Sequence, residues 1–114
     1  MKIYHNQMCS KSRASFELLT QSKQKFETID YIKNPLTRTE LSELLLKLDI
    51  SAKDLVRISE TEYKMNFEGK ELTEAGWIDA MVQYPILIER PIIVKGNKAV
   101  IGRPIENVLK LLED

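Results

Sequence analysis

The spacing of apolar and polar positions near the start of the chain changes from strand-like to helix-like and back. The run from Lys2 to His5 predicts a short buried strand, and apolar residues paired three and four positions apart after Ser12 predict a helix. From Phe26 to Ile32 apolar and polar residues alternate loosely, which predicts a second strand. Strand, helix and strand in this order form the βαβ pattern, so we expect a parallel strand pair with a right-handed crossover.

The middle of the chain has the spacing of amphipathic helices. Thr37 to Glu40 matches a capping box, and leucines at helical spacing follow it as far as Leu48. The segment from Ser51 to Val56 is a candidate short helix capped by its serine, and a further helix is predicted from Thr73 to Tyr84. Residues 59–71 are charged and weakly periodic, so short helical turns and a mobile loop are expected there.

The C-terminal part of the chain predicts a hairpin followed by a helix. Gly96 and Asn97 separate two apolar runs, from Ile92 to Lys95 and from Lys98 to Ile101, which is a strong pattern for a two-residue hairpin loop. Pro104 suits the first turn of a closing helix. The buried face expected for this helix consists of Ile105, Val108, Leu109 and Leu112.

The order of these elements predicts an α/β fold. Two parallel strands and an antiparallel hairpin would form one mixed sheet covered by helices, with a helical block between the βαβ unit and the hairpin. No internal repeat, low-complexity tract or linker-like segment interrupts the 114 residues, so we expect a single domain.

Composition and charge narrow the possible functions. Hydrophobic residues make up 43% of the chain and charged residues 30%, as in globular proteins rather than disordered ones. The 17 basic residues balance the 17 acidic ones, which indicates neither nucleic-acid binding nor attraction to an anionic membrane. No apolar run approaches the ~20 residues that span a bilayer, and the chain begins with a predicted strand rather than a secretion signal. A cytoplasmic protein is expected.

Cys9 is the candidate nucleophile. It is the only cysteine, it follows the first predicted strand, and it precedes the start of the first predicted helix. Backbone N–H groups and the helix dipole at such a place lower a thiol pKa from near 8.5 to roughly 3.5–7.5. A buried, inert thiol is the alternative, but Ser10 to Arg13 are all polar. His5, the only histidine, would support the thiolate electrostatically or order the loop.

Four arginines are candidate anion ligands. Arg13 follows the cysteine, Arg57 lies between apolar residues, and Arg90 and Arg103 each directly precede a proline at the start of an element. A charge beside apolar runs costs desolvation unless it faces a cleft or a partner. Guanidinium groups donate parallel hydrogen bonds that suit oxyanions. Whether these arginines converge on Cys9 stays open at this point.

The neighbourhood of Cys9 excludes two common thiol mechanisms. Only three residues separate it from Arg13, too few for a phosphatase loop that encircles an oxyanion. Ser12 stands where a Cys-x-x-Cys motif would have its second cysteine, so the chain cannot store two electrons as an internal disulfide. One cysteine is also too few for a cysteine-based zinc site, and no metal is expected. A reductase cycle would need an external thiol.

Five segments of the chain together resemble the glutaredoxin-dependent arsenate reductase family. They are His5-Asn6-x-x-Cys9-x-x-Ser12-Arg13, Asn34-Pro35-Leu36-Thr37-Arg38-x-Glu40-Leu41, Leu55-Val56-Arg57, Tyr84-Pro85-Ile86-Leu87-Ile88-Glu89-Arg90-Pro91-Ile92 and Ile101-Gly102-Arg103-Pro104. The spacing of the blocks matches nearly end to end, and the segment before and after Pro91 is the most specific. The chain differs from the family in having Gln7 where proline is frequent, and Ser10-Lys11 where small residues follow the cysteine.

The resemblance implies a thioredoxin-like fold, with a core of about residues 1–34 and 88–114 and a helical insertion of about residues 37–85. It implies that Cys9 attacks arsenate while His5 favours the thiolate. Arg57, Arg90 and Arg103 would hold the oxyanion. Ser12, Arg13 and Pro91 would support the site, with Pro91 at the position of a cis-proline that faces the thiol.

The resemblance also implies the partners of the reaction. Glutathione, a co-substrate and not a bound cofactor, would attack the thiol–arsenate adduct, and glutaredoxin would resolve the mixed disulfide, releasing arsenite. A monomer is expected. The alternatives are a general glutathione-dependent thiol reductase and an Spx-like regulator that binds RNA polymerase. Spx-type proteins usually sense oxidation through Cys-x-x-Cys, which Ser12 rules out here.

Overall fold

The structure of the protein is a computed structural model that describes residues 1–6, 10–22 and 24–113. The strands are β1 (Lys2–His5), β2 (Glu27–Asp30), β3 (Ile92–Lys95) and β4 (Lys98–Ile101). The helices are α1 (Ser10–Gln21), α2 (Arg38–Leu48), α3 (Ala52–Leu55), α4 (Thr61–Asn66), α5 (Glu74–Gln83) and α6 (Glu106–Glu113), with a short 3-10 helix at Pro85–Leu87.

These elements divide into two compact units, described separately below. The sheet unit comprises residues 1–34 and 90–114, and the helical unit comprises residues 35–89. The assignment of the whole chain to one domain stays a prediction.

The described strands form one four-stranded sheet in the order β2-β1-β3-β4. β1 runs parallel to β2, with Lys2 opposite Glu27 and His5 opposite Asp30. β3 is antiparallel to both β1 and β4, and the β3–β4 pair is the predicted hairpin. The mixed sheet predicted from the order of apolar runs is therefore confirmed.

β2 is shorter than the predicted strand from Phe26 to Ile32, because a side chain ends it. The Asp30 carboxylate accepts hydrogen bonds from the N–H groups of Ile32 and Lys33, at 3.1 and 3.2 Å. This local bonding turns the backbone out of the ladder immediately after Asp30. Tyr31, predicted to lie within the strand, is instead buried in the turn.

The core of the sheet unit lies between the sheet and its two helices. Its buried residues are Ile3, Leu19, Ile93, Val108 and Leu111. The first comes from β1, the second from α1, the third from β3 and the last two from α6. Apolar area removed from water at about 25 cal/mol per Å² is the main contribution that such a cluster makes to stability.

The buried face predicted for α6 is wrong at one position. The helix also begins two residues after Pro104, which was predicted to lie in its first turn. Leu109 is 44% exposed, whereas Leu111, which was not predicted to be buried, is 2% exposed. Three leucines, Leu109, Leu111 and Leu112, follow Val108, so the apolar spacing alone does not say which of them faces the sheet. The helix begins at Glu106, and Pro104 lies in the turn before it, where its carbonyl accepts the Asn107 N–H at 3.0 Å.

The helical unit has the predicted capping box at the start of α2. The Thr37 hydroxyl accepts the Glu40 N–H, and the Glu40 carboxylate accepts the Thr37 N–H, both at 3.1 Å. α2 and α3 pack on α5, and α4 supplies the helical turn expected between residues 59 and 71.

The predicted cap of α3 is corrected by the structure. Ser51 stands at the N-cap but makes no side-chain capping bond, since its hydroxyl donates to Asp54. The Ala52 N–H is bonded instead by both carboxylate oxygens of Glu74, at 2.9 and 3.0 Å. A residue from another helix thus supplies the acceptor that a local residue was predicted to supply.

Candidate functional site

Gln7, Met8 and Cys9 lie outside the described residues, and so do the side chains of Ser10 to Ser12. The assignment of Cys9 as the nucleophile, with Ser12 beside it, therefore stays a prediction. The elements on either side are described: β1 ends at His5, and α1 begins at Ser10. The strand predicted before Cys9 and the helix predicted after it are both confirmed.

His5 is held at the end of β1 by ring packing. It is 5% exposed, and its imidazole stacks on the ring of Phe16 with 5.3 Å between centroids. Phe16 in turn meets Phe26 edge-on at 5.6 Å. These contacts give the histidine ring a defined plane at the point where the chain leaves the sheet toward Cys9.

A pocket of about 610 Å³ opens beside the same histidine. Its lining residues are His5, Arg13, Phe16, Glu17 and Thr28. Arg13 and Glu17 are exposed and one helical turn apart on α1, and neither forms an ion pair within the described residues. The pocket therefore presents one charge of each sign beside an aromatic wall.

Arg90 and Pro91 lie at the start of β3. Arg90 is 7% exposed although it carries a charge, and Pro91 is fully buried. The Arg90–Pro91 peptide bond is cis, as the resemblance implied for this proline. The structure also contains a second cis bond, at Arg103–Pro104, which was not predicted.

Arg90 and Arg103 are brought together by a direct bond. The Arg103 Nε–H donates to the Arg90 carbonyl at 2.6 Å, and the Gly102 N–H donates to the Pro91 carbonyl at 2.8 Å. Two of the three predicted oxyanion ligands are thus neighbours. Since its Nε–H is bonded to the backbone, Arg103 can bind an anion only through its two terminal nitrogens.

Arg57 belongs to the helical unit. Its backbone N–H donates to the Leu87 carbonyl at 2.6 Å, next to an isolated bridge between Val56 and Ile88. Its Nε lies 3.2 Å from a Glu60 carboxylate oxygen, an ion pair without hydrogen-bond geometry, and its Nη1 is buried without a hydrogen bond. The convergence of Arg57 with the other two arginines stays a prediction.

Two residues near Arg103 were missed by the sequence analysis. Asn107 donates from its side-chain nitrogen to the carbonyls of Ile101 and Arg103, at 3.0 and 3.3 Å. Ser15 is fully buried, its hydroxyl has no hydrogen-bond partner within the described part of the chain, and it faces Gly102. An asparagine near a helix start and a serine within a helix are common, so nothing in their local sequence distinguishes them.

Two further features of the described residues bear on the site. Within residues 1–6, 10–22 and 24–113, no group of three or more histidine, cysteine, aspartate or glutamate side chains is arranged to hold a metal ion. Over the same ranges, none of the helices combines the length and the apolar character needed to cross a membrane.

Comparison with known proteins places the chain in a family. The model of the ArsC family matches residues 4–111. The chain is 43% identical to the uncharacterized protein YfgD of Escherichia coli strain K12 over 98% of its own length and 96% of that protein. It is 35% identical to an arsenate reductase of Neisseria meningitidis serogroup A, over 98% of its own length and 97% of that protein.

A solved structure extends the similarity to three dimensions. The arsenate reductase from Vibrio cholerae superposes with a TM-score of 0.89 at 36% identity, over 96% of this chain and 97% of that one. The thioredoxin-like fold implied by the sequence resemblance is therefore confirmed. With the family model covering almost the whole chain and relatives above 30% identity along nearly its full length, the protein belongs to the ArsC family.

Proposed function

We propose that the protein reduces arsenate to arsenite, using Cys9 as the nucleophile. The observation that supports this proposal is the bond from Arg103 Nε to the Arg90 backbone carbonyl, which brings the Arg103 side chain to the backbone just before Pro91. Guanidinium groups suit a tetrahedral oxyanion, since each donates directed, charge-assisted hydrogen bonds, and the proposal is that those of Arg90 and Arg103 bind the anion together. Membership in a family that includes arsenate reductases names arsenate as that anion.

The proposed chemistry balances with one protein thiol and one external thiol. The Cys9 thiolate attacks As(V), an S–As bond forms, and an arsenate oxygen leaves as water. A glutathione thiolate then attacks the Cys9 sulfur, and the electron pair of the S–As bond passes to arsenic. Arsenite leaves as As(III), while the two sulfurs are oxidised to a mixed disulfide. Glutaredoxin attacks this disulfide and returns Cys9 as a thiolate.

Two groups of residues would assist Cys9, the first by binding the anion and the second by stabilising the thiolate. Arg90 and Arg103 would neutralise the arsenate oxygens, with Arg57 as a third ligand, and so reduce repulsion toward the attacking thiolate. His5, with its ring fixed on Phe16, would favour the thiolate. With one cysteine in the chain, the second thiol has to come from outside. A reducing compartment such as the cytoplasm suits this cycle, and a monomer would suffice.

The test is an arsenate-dependent rate in an assay coupled to glutaredoxin. Purified protein, glutathione, glutaredoxin, glutathione reductase and NADPH are mixed, and NADPH consumption is followed with and without arsenate. We expect consumption that depends on arsenate and disappears in Cys9→Ser. A wild-type rate no higher than that of Cys9→Ser would refute arsenate reduction.

The pocket beside His5 supports a second candidate, a general reductase of glutathione mixed disulfides. Arg13 and Glu17 could pair with the carboxylate and the amino group of a peptide thiol, with Phe16 as an apolar wall. Turnover of a glutathionylated test protein without any response to arsenate would favour this candidate. Turnover of arsenate without turnover of the glutathionylated protein would exclude this candidate.

A further inference from the structure

We propose that Asn107 is a positioning residue for the arginine pair, acting through the backbone that carries Arg103. The inference rests on the proposed function, since it assigns the pair the task of binding the oxyanion. Asn107 lies in the first turn of α6, outside every segment that carries the family resemblance.

The Asn107 carboxamide joins the end of β4 to the residue that bears the guanidinium. Its Nδ2 donates to Ile101 O at 3.0 Å and to Arg103 O at 3.3 Å, the two carbonyls on either side of Gly102. The Gly102 N–H between them donates to the Pro91 carbonyl at 2.8 Å. Three hydrogen bonds thus determine where the backbone of this segment lies.

The position of that backbone determines where the Arg103 guanidinium lies. The bond from Arg103 Nε to the Arg90 carbonyl is 2.6 Å long, so a shift of about 1 Å in the backbone would lengthen it beyond hydrogen-bonding distance. A misplacement of about 1 Å in a residue that positions substrate can cost about a hundredfold in rate. Asn107 therefore affects the anion site through the backbone that carries Arg103, without contacting the anion itself.

The side chain at position 107 has to be a double donor of this length. An amide nitrogen carries two hydrogens and can serve two carbonyls at once, whereas leucine has a similar shape and no donor. Aspartate would place a negative charge against the carbonyls and near the arginines. A change in anion affinity in that variant could then come from the lost hydrogen bonds or from the added charge. Asn107→Leu is the cleaner variant. Asn107→Ser, which keeps one shorter donor, is a milder companion in case the leucine variant does not fold.

A role limited to fastening α6 makes different predictions from positioning. Fastening alone would lower the free energy of unfolding while the Arg103 side chain and the affinity for oxyanions stay unchanged in the folded protein. Positioning moves both of them at temperatures where the variant is fully folded. Lys110→Ala is the matched control, because Lys110 is exposed on the same helix and its side chain forms no hydrogen bond or ion pair within the described residues.

The experiment combines side-chain NMR with anion binding on the full chain. The Arg103 Nε–H resonance is assigned with Arg103→Lys, and its exchange with solvent is measured in wild type, Asn107→Leu, Asn107→Ser and Lys110→Ala. Binding of arsenate and phosphate is measured by calorimetry. In Asn107→Leu we expect exchange of the Arg103 Nε–H to be about tenfold faster or more. We expect anion affinity to be about tenfold weaker, and intermediate values in Asn107→Ser.

The outcomes separate this inference from the proposed function. An Arg103 Nε–H resonance and an anion affinity unchanged in folded Asn107→Leu or Asn107→Ser would overturn the positioning role, whatever the wild-type enzyme reduces. Faster exchange and weaker phosphate binding support the positioning role even where the wild type shows no arsenate turnover. Absence of arsenate turnover would count against arsenate reduction and not against the role of Asn107. The same changes in Lys110→Ala would also overturn the inference.

Discussion

Arg103 donates its Nε–H to the Arg90 carbonyl, and under the proposed function its terminal nitrogens would bind the anion. Lysine at this position would keep the charge but would lose both the Nε–H and the forked geometry. We expect Arg103→Lys to raise the KM for arsenate about tenfold or more, since two directed hydrogen bonds become one point contact. Steady-state kinetics in the coupled assay would measure the change.

Arg38→Lys is the control for this substitution. Arg38 pairs with Asp79 at 3.0 Å, with both side chains more than half exposed, and exposed pairs contribute little. Its KM should therefore stay at the wild-type value. Equal KM changes in the two variants would remove the reason to assign Arg103 to the anion.

Gly102 lies where a side chain would collide with the site. A Cβ there would come within 2.7 Å of the Ser15 hydroxyl oxygen and 2.8 Å of a Pro91 ring carbon. A proline ring cannot move aside as a flexible side chain can, so the strain falls on the backbone that carries Arg103. We expect Gly102→Ala to lower the free energy of unfolding by about 1–3 kcal/mol, measured by denaturant titration.

The companion variant Ser15→Ala tests whether this strain is local. It removes one of the two colliding atoms, the Ser15 hydroxyl oxygen, which is buried and has no hydrogen-bond partner among the described residues. Ser15→Ala alone should therefore be neutral or stabilising. In the double variant the glycine substitution should cost less than it does alone. A cost as large in the double variant as in the single one would contradict contact with Ser15.

Sequence reasoning identified the residues of this region only where their local context was unusual. Arg90 and Arg103 stand out because each is a charge placed directly before a proline and beside apolar residues. Asn107 and Ser15 have ordinary neighbours, and their importance comes from atoms of distant segments. The spacing of apolar and polar residues does not reveal the hydrogen bond from Asn107 to the Ile101 carbonyl or the contact of Ser15 with Gly102.

At the level of elements, the capping box of α2 gives a prediction about stability. Thr37→Ala removes the acceptor for the Glu40 N–H and leaves an unpaired donor at the start of the helix. The expected loss is about 1 kcal/mol in the free energy of unfolding. Thermal and denaturant unfolding would both report it.

Thr39→Ala is the matched control for the cap. Thr39 is an exposed residue inside the same helix, where alanine has the higher helix propensity. The control should therefore be as stable as the wild type or slightly more so. Equal losses in the two variants would show that the hydroxyl of Thr37 contributes nothing as a cap.

Features formed by residues close together in sequence were predicted well. Features that depend on contacts with residues distant in sequence were not. The capping box and the turn at Gly96 and Asn97 are made by neighbouring residues, and both are found as predicted. The acceptor at the start of α3 comes from Glu74, twenty-two positions along the chain from Ala52. The buried face of α6 depends on where the sheet lies, and local spacing does not contain that information.

At the level of the whole molecule, the single cysteine limits how the protein can be oxidised. With one thiol, every disulfide it forms joins it to another molecule. We expect wild-type protein treated with oxidised glutathione to gain one glutathione per chain in intact mass spectra. Glutaredoxin with glutathione should then restore the original mass.

Cys9→Ser is the control for this adduct and should stay at its unmodified mass. A wild-type protein that resists glutathionylation while it reduces arsenate would contradict the proposed order of thiol attacks. Retention of the adduct after treatment with glutaredoxin would contradict the proposed resolving partner.

The general architecture was predictable because it follows from the order of a few apolar runs. A βαβ unit, a helical block and a hairpin allow few sheet arrangements, and the observed order β2-β1-β3-β4 is one of them. The proposal that Arg57 acts together with Arg90 and Arg103 rests on the family resemblance, because periodicity does not show which distant segments meet.

The position of β1 in the sheet has a consequence for the protein during its synthesis. β1 lies between β2 and β3, yet β2 starts at residue 27 and β3 only at residue 92. At roughly 5–20 residues per second, a ribosome needs roughly 3–13 seconds to pass from one to the other. Throughout that interval the β3 side of β1 has no strand to pair with, and open strand edges pair readily with other chains. A chaperone that binds extended backbone would meet its target on the nascent chain in those seconds, and the emergence of β3 would end the opportunity.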